Sequence, residues 1–386
     1  MIYLDNSATT QTDPAVVQVM GDVMREVYGN PSSLHGIGVK AERLLEQARK
    51  VIADTLGGSP QEIIFTSGGT EANNMVIRGV AESYRHRGNH IITSQIEHPS
   101  VYDVFQYLKQ KGWKVTFLPV NEKGQVRTED VKKALTEETV LVSIMHVNNE
   151  MGSVQPVEEI GELLKSYPKV LFHVDAVQSF GKIPLKPRHA HIDFLTLSGH
   201  KIHGPKGIGC LYKRKNLMLP PLLIGGGQEQ GFRSGTENVP AVAGLAKAVV
   251  IAKETEKDFV RQYQTWKEML MARVKELNSV KINGETSPEG GAPYILNLSF
   301  PGLKSEVVVH ALEKENVYVS SKSACSSKKE EPSRVLKAMG LTDQEALGSI
   351  RISMGRMNTE EDIRRCGDAL VRVIPELQQV MKVHKR

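Results

Sequence analysis

The sequence predicts an α/β protein in which a large, mainly parallel seven-stranded sheet is followed by a smaller α+β unit. The chain has 386 residues, the length of two or three ordinary domains. Hydrophobic residues make up 40% of the chain and charged residues 24%, which is typical of globular proteins. Short apolar runs alternate with amphipathic ones through its middle, and this alternation indicates βα units.

The elements of the large sheet are predicted from these runs. The strands are expected at Ile63–Thr66, His90–Thr93, Lys114–Leu118, Val140–Met145, Val170–Val174, Phe194–Leu197 and Gly209–Tyr212. The helices between them are expected at Glu71–His86, Ser100–Lys111, Glu129–Leu135 and Val157–Leu164. An earlier helix should begin at Asp13-Pro14, since an Asp N-cap before a first-turn proline is typical of a helix start.

The pattern changes after residue 239. A long charged helix, from Val239 to about Leu277, is expected to connect two domains. The smaller unit then has strands at Tyr294–Phe300, Val317–Ser320 and Ser349–Ser353, and helices at Ser305–Lys314 and Glu360–Val373. We therefore predict a large domain of residues 14–255, and a small domain of residues 1–13 and 256–386.

Composition excludes several classes of protein. The formal net charge is only +5 and basic residues are mixed with acidic ones, so stable nucleic-acid binding is not expected. The N-terminus lacks the pattern of a signal peptide, and the most apolar stretch, Val239 to Ala252, is too short for a membrane span. Three widely spaced cysteines without a CxxC pair argue against disulfides and indicate a reducing compartment such as the cytoplasm.

A glycine-rich turn, Ser67-Gly68-Gly69-Thr70, lies between a predicted strand and a predicted helix. Glycines let backbone N–H groups approach an anion, and a helix N-terminus favours its charge. Taken alone, the segment fits phosphate binding and an ordinary capped βα turn equally well. It is not a Walker A loop, and the chain has no Gly-x-Gly-x-x-Gly after a strand, which argues against a nicotinamide cofactor.

Asp175 and Gln178 follow another buried strand, and ligands of open α/β sheets bind at the carboxyl ends of strands. Asp175 is either the partner of a cationic ligand group or a helix N-cap, in which case Gln178 would complete a capping box.

Lys201 ends the segment Ser198-Gly199-His200-Lys201, directly after the strand Phe194–Leu197. Desolvation favours the neutral form of an amine, which suits Schiff-base chemistry with a carbonyl. With a phosphate-binding turn and an acid for a pyridinium nitrogen, this lysine completes the set that pyridoxal phosphate requires. A zinc site is the alternative, with His189, His191, His200 and His203 as ligands, although no His-Glu-x-x-His pattern supports it.

Six segments carry further distinctive motifs: Asp5–Thr10, Gly29–His35, Thr66–Glu71, His146–Gly152, Ser198–Lys201 and Arg233–Thr236. In this order, and over essentially the whole chain, they resemble the motifs of NifS/IscS-type cysteine desulfurases. These are fold-type-I pyridoxal-phosphate enzymes of the class-V aminotransferase group. The resemblance implies a homodimer that converts L-cysteine to L-alanine.

The resemblance also implies a role for each matching residue. Lys201 would bind the cofactor aldehyde and move the substrate α-proton, Asp175 would pair with the ring nitrogen, and Gln178 would bond the ring hydroxyl. His98 would stack on the ring and handle protons, although alone it is equally typical of a helix cap. The phosphate would be bound by Gly69, Thr70, Ser198 and His200, with Thr236 reaching in from the second subunit.

Two further residues would bind the substrate. Asn149 would contact both cofactor and substrate, and with Arg351 it would hold the substrate carboxylate. A bidentate arginine suits that task, although an arginine near a strand end is more often an exposed charge.

Cys325 lies in a polar, basic stretch, about residues 321–332, that is expected to form an exposed loop. Neighbouring lysines would favour the thiolate. The resemblance implies that Cys325 takes the sulfur of L-cysteine as a persulfide and passes it to an acceptor protein. Cys210, in a strand, and Cys366, on an apolar helix face, are expected to be buried and inert.

The loop departs from the family at Lys322, where Gly is usual, and at Ser326, where Thr is common. We hypothesise from these departures a dedicated sulfur acceptor, such as a tRNA thiolation enzyme, rather than a general iron–sulfur scaffold.

Two other functions compete with this hypothesis. One is a different pyridoxal-phosphate reaction, that of an aminotransferase or a selenocysteine lyase. The other is a sulfur-relay or scaffold protein that acts by binding alone, against which the presence of both Lys201 and Asp175 argues.

Overall fold

The computed structural model describes residues 1–321 and 331–383, with side chains as far as residue 380. Cys325 and its neighbours 322–330 lie outside the described residues. The strands are β1 (Ile2–Tyr3), β2 (Ile63–Thr66), β3 (His90–Ser94), β4 (Lys114–Leu118), β5 (Thr139–Met145), β6 (Leu171–Asp175), β7 (Phe194–Ser198), β8 (Gly209–Lys213), β9 (Lys281–Asn283), β10 (Ile295–Ser299), β11 (Val317–Tyr318) and β12 (Ser349–Ser353).

The helices carry the remaining regular structure of the described residues. They are α1 (Pro14–Glu26), α2 (Gly36–Leu56), α3 (Gly69–Ser83), α4 (Pro99–Gln110), α5 (Thr128–Ala134), α6 (Val157–Leu164), α7 (Val239–Val274), α8 (Ser305–Lys314), α9 (Arg334–Ala338), α10 (Asp343–Leu347) and α11 (Glu360–Val383). None of the helices in the described part of the chain is long and apolar enough to cross a membrane.

The large sheet has seven strands in the order β2-β8-β7-β6-β5-β3-β4. Only β8 runs against its neighbours, β2 and β7, so the other six strands share one direction. The predicted α/β class and mainly parallel sheet are confirmed. Because the strands share a direction, the carboxyl ends of β2, β6 and β7 meet at one edge, where ligands of such sheets bind.

Both faces of this sheet are buried. On β3, for example, Ile92 packs toward one apolar cluster and its neighbour Ile91 toward another, since successive side chains of a strand point to opposite faces. Helices cover both faces, which explains why the strands read as continuous apolar runs rather than alternating ones.

A second apolar core surrounds the smaller unit. There β10 pairs antiparallel with β9 and β12, and β1 pairs with β11. The long helix α7 serves both cores, because Leu245 and Val249 belong to the first and Trp266 and Leu270 to the second.

Helix α2 was not predicted from the sequence. Its buried residues Ala41, Leu45, Ala48 and Ile52 have helical spacing, but glycines at 36 and 38 and a preceding Pro-Ser-Ser segment resemble a loop. The helix begins because His35 Nδ1 accepts a hydrogen bond from the Gly38 N–H at 3.2 Å.

Candidate active site

A pocket of about 200 Å³ opens at the carboxyl edge of the large sheet. The residues predicted to form the site and found in its lining are Gly69, Thr70, His98, Asn149, Asp175, Gln178, Ser198, His200, Lys201 and Arg351. They come from distant parts of the chain, so their convergence is a result of the fold.

Lys201 lies in a single 3-10 turn directly after β7. Its amine donates hydrogen bonds to the carbonyl oxygens of Ser7 and Ala8, the latter at 2.8 Å. These two acceptors belong to the N-terminal segment and were not predicted from the sequence. They hold the amine on the pocket wall.

Asp175 ends β6 and is buried. One carboxylate oxygen, Oδ1, accepts from the Val177 N–H at 2.9 Å, and Oδ2 accepts from the Asn73 side-chain amide at 2.8 Å. A turn rather than a helix follows it, so the N-cap interpretation does not apply. Gln178 completes no capping box, and its amide donates to the Ser7 carbonyl at 2.9 Å.

The four residues predicted to bind a phosphate, here called the cradle, line the same pocket as Asp175. Gly69 and Thr70 form the N-terminus of the 15-residue helix α3, and Ser198 and His200 lie opposite them. A Cβ at Gly69 would lie only 2.8 Å from the Val177 side chain, so the glycine permits close packing here. Burial, together with nearby Lys201, lowers the pKa of His200 to about 4, so its imidazole is neutral at pH 7.

His98 is a helix cap that also lines the pocket, and its predicted stacking on the cofactor ring stays a prediction. It caps α4, since its Nδ1 accepts from the Ser100 N–H at 3.2 Å, and it also lines the pocket. Burial lowers the pKa of His98.

Arg351 is not a surface charge, because only 1% of it is exposed. Its Nη2 donates to Asp5 Oδ1 at 2.6 Å and its Nη1 to the Asn149 carbonyl at 2.8 Å. The buried Nε–H has no hydrogen-bond partner among the described residues.

Other buried polar atoms of the pocket residues are also without partners in the described part of the chain. They are Gln178 Oε1, Asn73 Oδ1 and Ser7 Oγ. Buried polar groups are normally satisfied, so unpaired atoms around one cavity indicate that a polar ligand belongs there. A ligand with a phosphate, a ring nitrogen, a ring hydroxyl and an aldehyde fits the cradle, the acid and the lysine.

The zinc alternative finds no support. Within residues 1–321 and 331–383, no three His, Cys, Asp or Glu side chains are grouped so as to hold a metal ion. Thr236 is exposed and does not line the pocket of its own chain, and the prediction that it serves the second subunit stays a prediction.

The fold and this set of side chains define a pyridoxal-phosphate-dependent enzyme of fold type I. The chain belongs to the aminotransferase class-V family, whose model matches residues 2–366.

Individual relatives match over nearly the whole chain. A "NifS/IcsS protein homolog" of Lactobacillus delbrueckii is 44% identical, covering 98% of this chain and 97% of the relative. The "Cysteine desulfurase IscS" of Methanosarcina thermophila is 41% identical over 99% of this chain and 93% of its own. A solved structure named "NIFS-LIKE PROTEIN" superposes with a TM-score of 0.90 at 39% identity, covering 99% of each chain. The resemblance deduced from the motifs is thereby confirmed.

Proposed function

We propose that this protein is a cysteine desulfurase that converts L-cysteine to L-alanine and transfers the sulfur atom to Cys325. The observation that carries the proposal is the convergence of Lys201, Asp175 and Arg351 on one pocket beside the N-terminus of α3. The relative at 41% identity, which is named as a cysteine desulfurase, supports it.

Pyridoxal phosphate would be held by groups already in place. Gly69, Thr70, Ser198 and His200 would bind its phosphate, and Asp175, Gln178 and Lys201 would take the ring nitrogen, the ring hydroxyl and the aldehyde. The bound cofactor withdraws electrons from the substrate α-carbon, which makes the α-proton removable.

The remaining chemistry belongs to the side chains. The Lys201 amine takes the α-proton, and the Ser7 and Ala8 carbonyls define where that amine lies. Arg351 binds the substrate carboxylate, because its guanidinium is buried at the pocket wall and keeps an unpaired Nε–H. Asn149 supports the same guanidinium through its carbonyl.

Cys325 is the one of the three cysteines that remains as the sulfur acceptor, because the other two thiols are unsuited to the role. Cys210 and Cys366 are fully buried in the two cores. Burial raises the pKa of the Cys366 thiol to about 12 and that of Cys210 well above its usual range. Neither forms a thiolate near pH 7. The C–S bond of L-cysteine breaks, an S–S bond forms at Cys325, and the carbon that loses sulfur gains a proton.

The same proposal extends to the assembly. We expect a cytoplasmic homodimer in which Thr236 completes the partner's phosphate site, and an acceptor protein that takes the persulfide sulfur. That acceptor is an iron–sulfur scaffold or a tRNA thiolation enzyme, and Lys322 and Ser326 favour a dedicated one. Trapping persulfide-linked partners distinguishes them, and recovery of cluster scaffolds alone would contradict a dedicated acceptor.

The domain division at residues 14–255 is also a proposal. Helix α7 is continuous, but its last buried residue in the first core is Val249 and its first in the second is Tyr263, which supports the division. So does the inclusion of Ile2 and Leu4 in the second core.

Alanine released from L-cysteine in the presence of a thiol reductant tests the function. Lys201→Ala should lower the rate by about a hundredfold or more, because the proton acceptor is lost. Lys215→Ala, an exposed lysine after β8, is the matched control and should act as wild type. Wild-type protein that binds the cofactor but releases no alanine would refute the substrate assignment.

A further inference from the structure

A buried chain of hydrogen bonds joins Asp175 to His98. The Asn73 amide nitrogen lies 2.8 Å from Asp175 Oδ2 and 2.9 Å from Ser100 Oγ. Ser100 Oγ in turn lies 2.8 Å from His98 Nδ1. Asn73 and Ser100 were not singled out from the sequence, yet both line the pocket.

The direction of every bond in this chain is determined. The Asn73 amide must present its nitrogen to the Asp175 carboxylate, because its own carbonyl oxygen would be repelled there. An amide nitrogen only donates, so its second hydrogen goes to Ser100 Oγ. A hydroxyl oxygen can accept twice, so the last bond is settled by the Ser100 backbone N–H, which donates to His98 Nδ1 at 3.2 Å. Because Nδ1 is an acceptor, the Ser100 hydroxyl also donates to it.

His98 Nδ1 therefore faces two donors, the hydroxyl and the backbone N–H of Ser100. A nitrogen that accepts hydrogen bonds carries no proton, so in the neutral imidazole the hydrogen is on Nε2. Among the residues that the structure describes, the charged and titratable groups that act on this ring include Asp175 on β6, Lys201 after β7, Asp103 on α4 and Arg334 on α9. Burial outweighs them and keeps the ring neutral.

We propose that Asn73 and Ser100 are positioning residues that fix His98 as the Nε2–H tautomer, so that His98 acts in the pocket as a hydrogen-bond donor through Nε2. The catalytic part of this inference rests on the proposed function, because it assigns a step of that reaction. The assignment of the tautomer does not rest on the proposed function. Through Asn73 and Ser100, the orientation of Asp175 is coupled to the position of the proton on the His98 ring, which lines the same pocket.

The tautomer is measured by ¹⁵N NMR on the full-length holoenzyme labelled at histidine, with the His98 signals assigned by their loss in His98→Gln. We expect an unprotonated Nδ1 and a protonated Nε2 in the wild type. A proton on Nδ1 in the wild type would overturn the proposal.

Two substitutions of one residue test the role of the Ser100 hydroxyl. Ser100→Ala removes a donor that stabilises neutral His98, so the pKa of His98 should rise and the acid limb of the pH–rate profile should move upward. We also expect kcat to fall about tenfold or more with KM changed by less than about twofold. Ser100→Thr keeps the hydroxyl and should restore both readouts.

The outcomes separate the two proposals. An unchanged tautomer and an unchanged His98 pKa in Ser100→Ala would overturn the positioning role, whatever the activity. Wild-type protein that shows the expected tautomer but makes no alanine would refute the proposed function and leave the assignment of the tautomer in place.

Discussion

Asp5 forms an ion pair with Arg351, the arginine proposed to bind the substrate, although the two residues lie near opposite ends of the chain. Its carboxylate accepts from Arg351 Nη2 at 2.6 Å, and the Asn149 carbonyl accepts from Nη1. These two bonds use one hydrogen of each terminal nitrogen, so the unpaired Nε–H and the second hydrogen on each terminal nitrogen are left for a ligand. The proposed substrate site would therefore be built from a strand of the small unit, a loop of the large one and the N-terminal segment.

Asp5→Ala should weaken substrate binding. A hydrogen bond to a charged group contributes about 1.5–3 kcal/mol, so we expect KM for L-cysteine to rise about tenfold while kcat stays within about twofold. Asp5→Asn keeps an acceptor oxygen and should change KM by less than about threefold. Steady-state kinetics measures both, and an unchanged KM in Asp5→Ala would show that Asp5 does not orient the arginine.

Glu97 is a buried acid beside the site, with 1% of its surface exposed. It accepts from Ser94 Oγ at 2.6 Å and from the Met145 N–H at 3.0 Å, but burial dominates and raises its pKa to about 8. The side chain is therefore protonated at pH 7 in the folded protein, whereas an unfolded chain would lose this proton near pH 4.3.

Because of this pKa difference, the free energy of unfolding should depend on pH. Between about pH 4.5 and 8 the folded chain binds one more proton than the unfolded chain, so the free energy of unfolding falls as the pH rises. The fall is at most about 1.4 kcal/mol per pH unit. Glu97→Gln has no carboxyl group to titrate at this position. Urea unfolding should therefore show that the free energy of unfolding of the variant, relative to that of wild type, is higher at pH 7.5 than at pH 5. The exposed Glu254→Gln should follow wild type, and parallel curves for wild type and Glu97→Gln would contradict the raised pKa.

At the scale of elements, a buried ion pair joins α2 to the loop before α7. Both terminal nitrogens of Arg49 donate to the Glu229 carboxylate, at 2.8 and 2.9 Å. Glu229 also accepts from the Phe65 N–H of β2, and Arg49 donates to the Ile63 carbonyl. Three segments distant in sequence are fixed by two side chains.

Removing one partner leaves the other charge buried and unpaired. Glu229→Gln should therefore lower the free energy of unfolding by about 3–5 kcal/mol. The exposed pair Arg364–Glu361 provides the control, because Glu361→Gln should cost less than about 1 kcal/mol. Urea denaturation at one protein concentration measures both. Equal losses for the two variants would refute the structural role of the buried pair.

The elements were predictable where their signals are local. The strands β2, β4 and β12 and the helices α6 and α8 have the predicted bounds, because the apolar run or the helical spacing that predicts each of them lies within the segment. Helix α2 was missed because its glycines and the preceding proline and serines masked a regular apolar spacing.

The site was predictable only in part, because only some of its residues have a local signal in the sequence. Lys201 and Asp175 follow apolar strands, so the topology of a parallel sheet brings them together. Their supporting residues come from far away, since Ser7 is 194 residues from Lys201 and Asn73 is 102 residues from Asp175. No periodicity connects such pairs, and only folding reveals them.

At the scale of the whole molecule, the pocket lies where the two cores meet. The N-terminal segment crosses between them, since the Ser7 N–H donates to Ser353 Oγ of the small unit while the Ser7 carbonyl accepts from Lys201 and Gln178. The arginine proposed to bind the substrate comes from the small unit, and the residues proposed to hold the cofactor come from the large one. We therefore expect the chemistry to depend on how these two parts are held together.

Transfer of sulfur to Cys325 in a single turnover tests the account most directly. Wild-type protein and Cys366→Ala, a buried-thiol control, are mixed with L-cysteine without reductant, and intact-protein mass spectrometry is combined with alanine measurement. Each protomer should gain one sulfur atom on Cys325 and release one L-alanine, whereas Cys325→Ala should do neither. Alanine formation at the wild-type rate in Cys325→Ala, or sulfur found on another residue, would contradict the proposed mechanism.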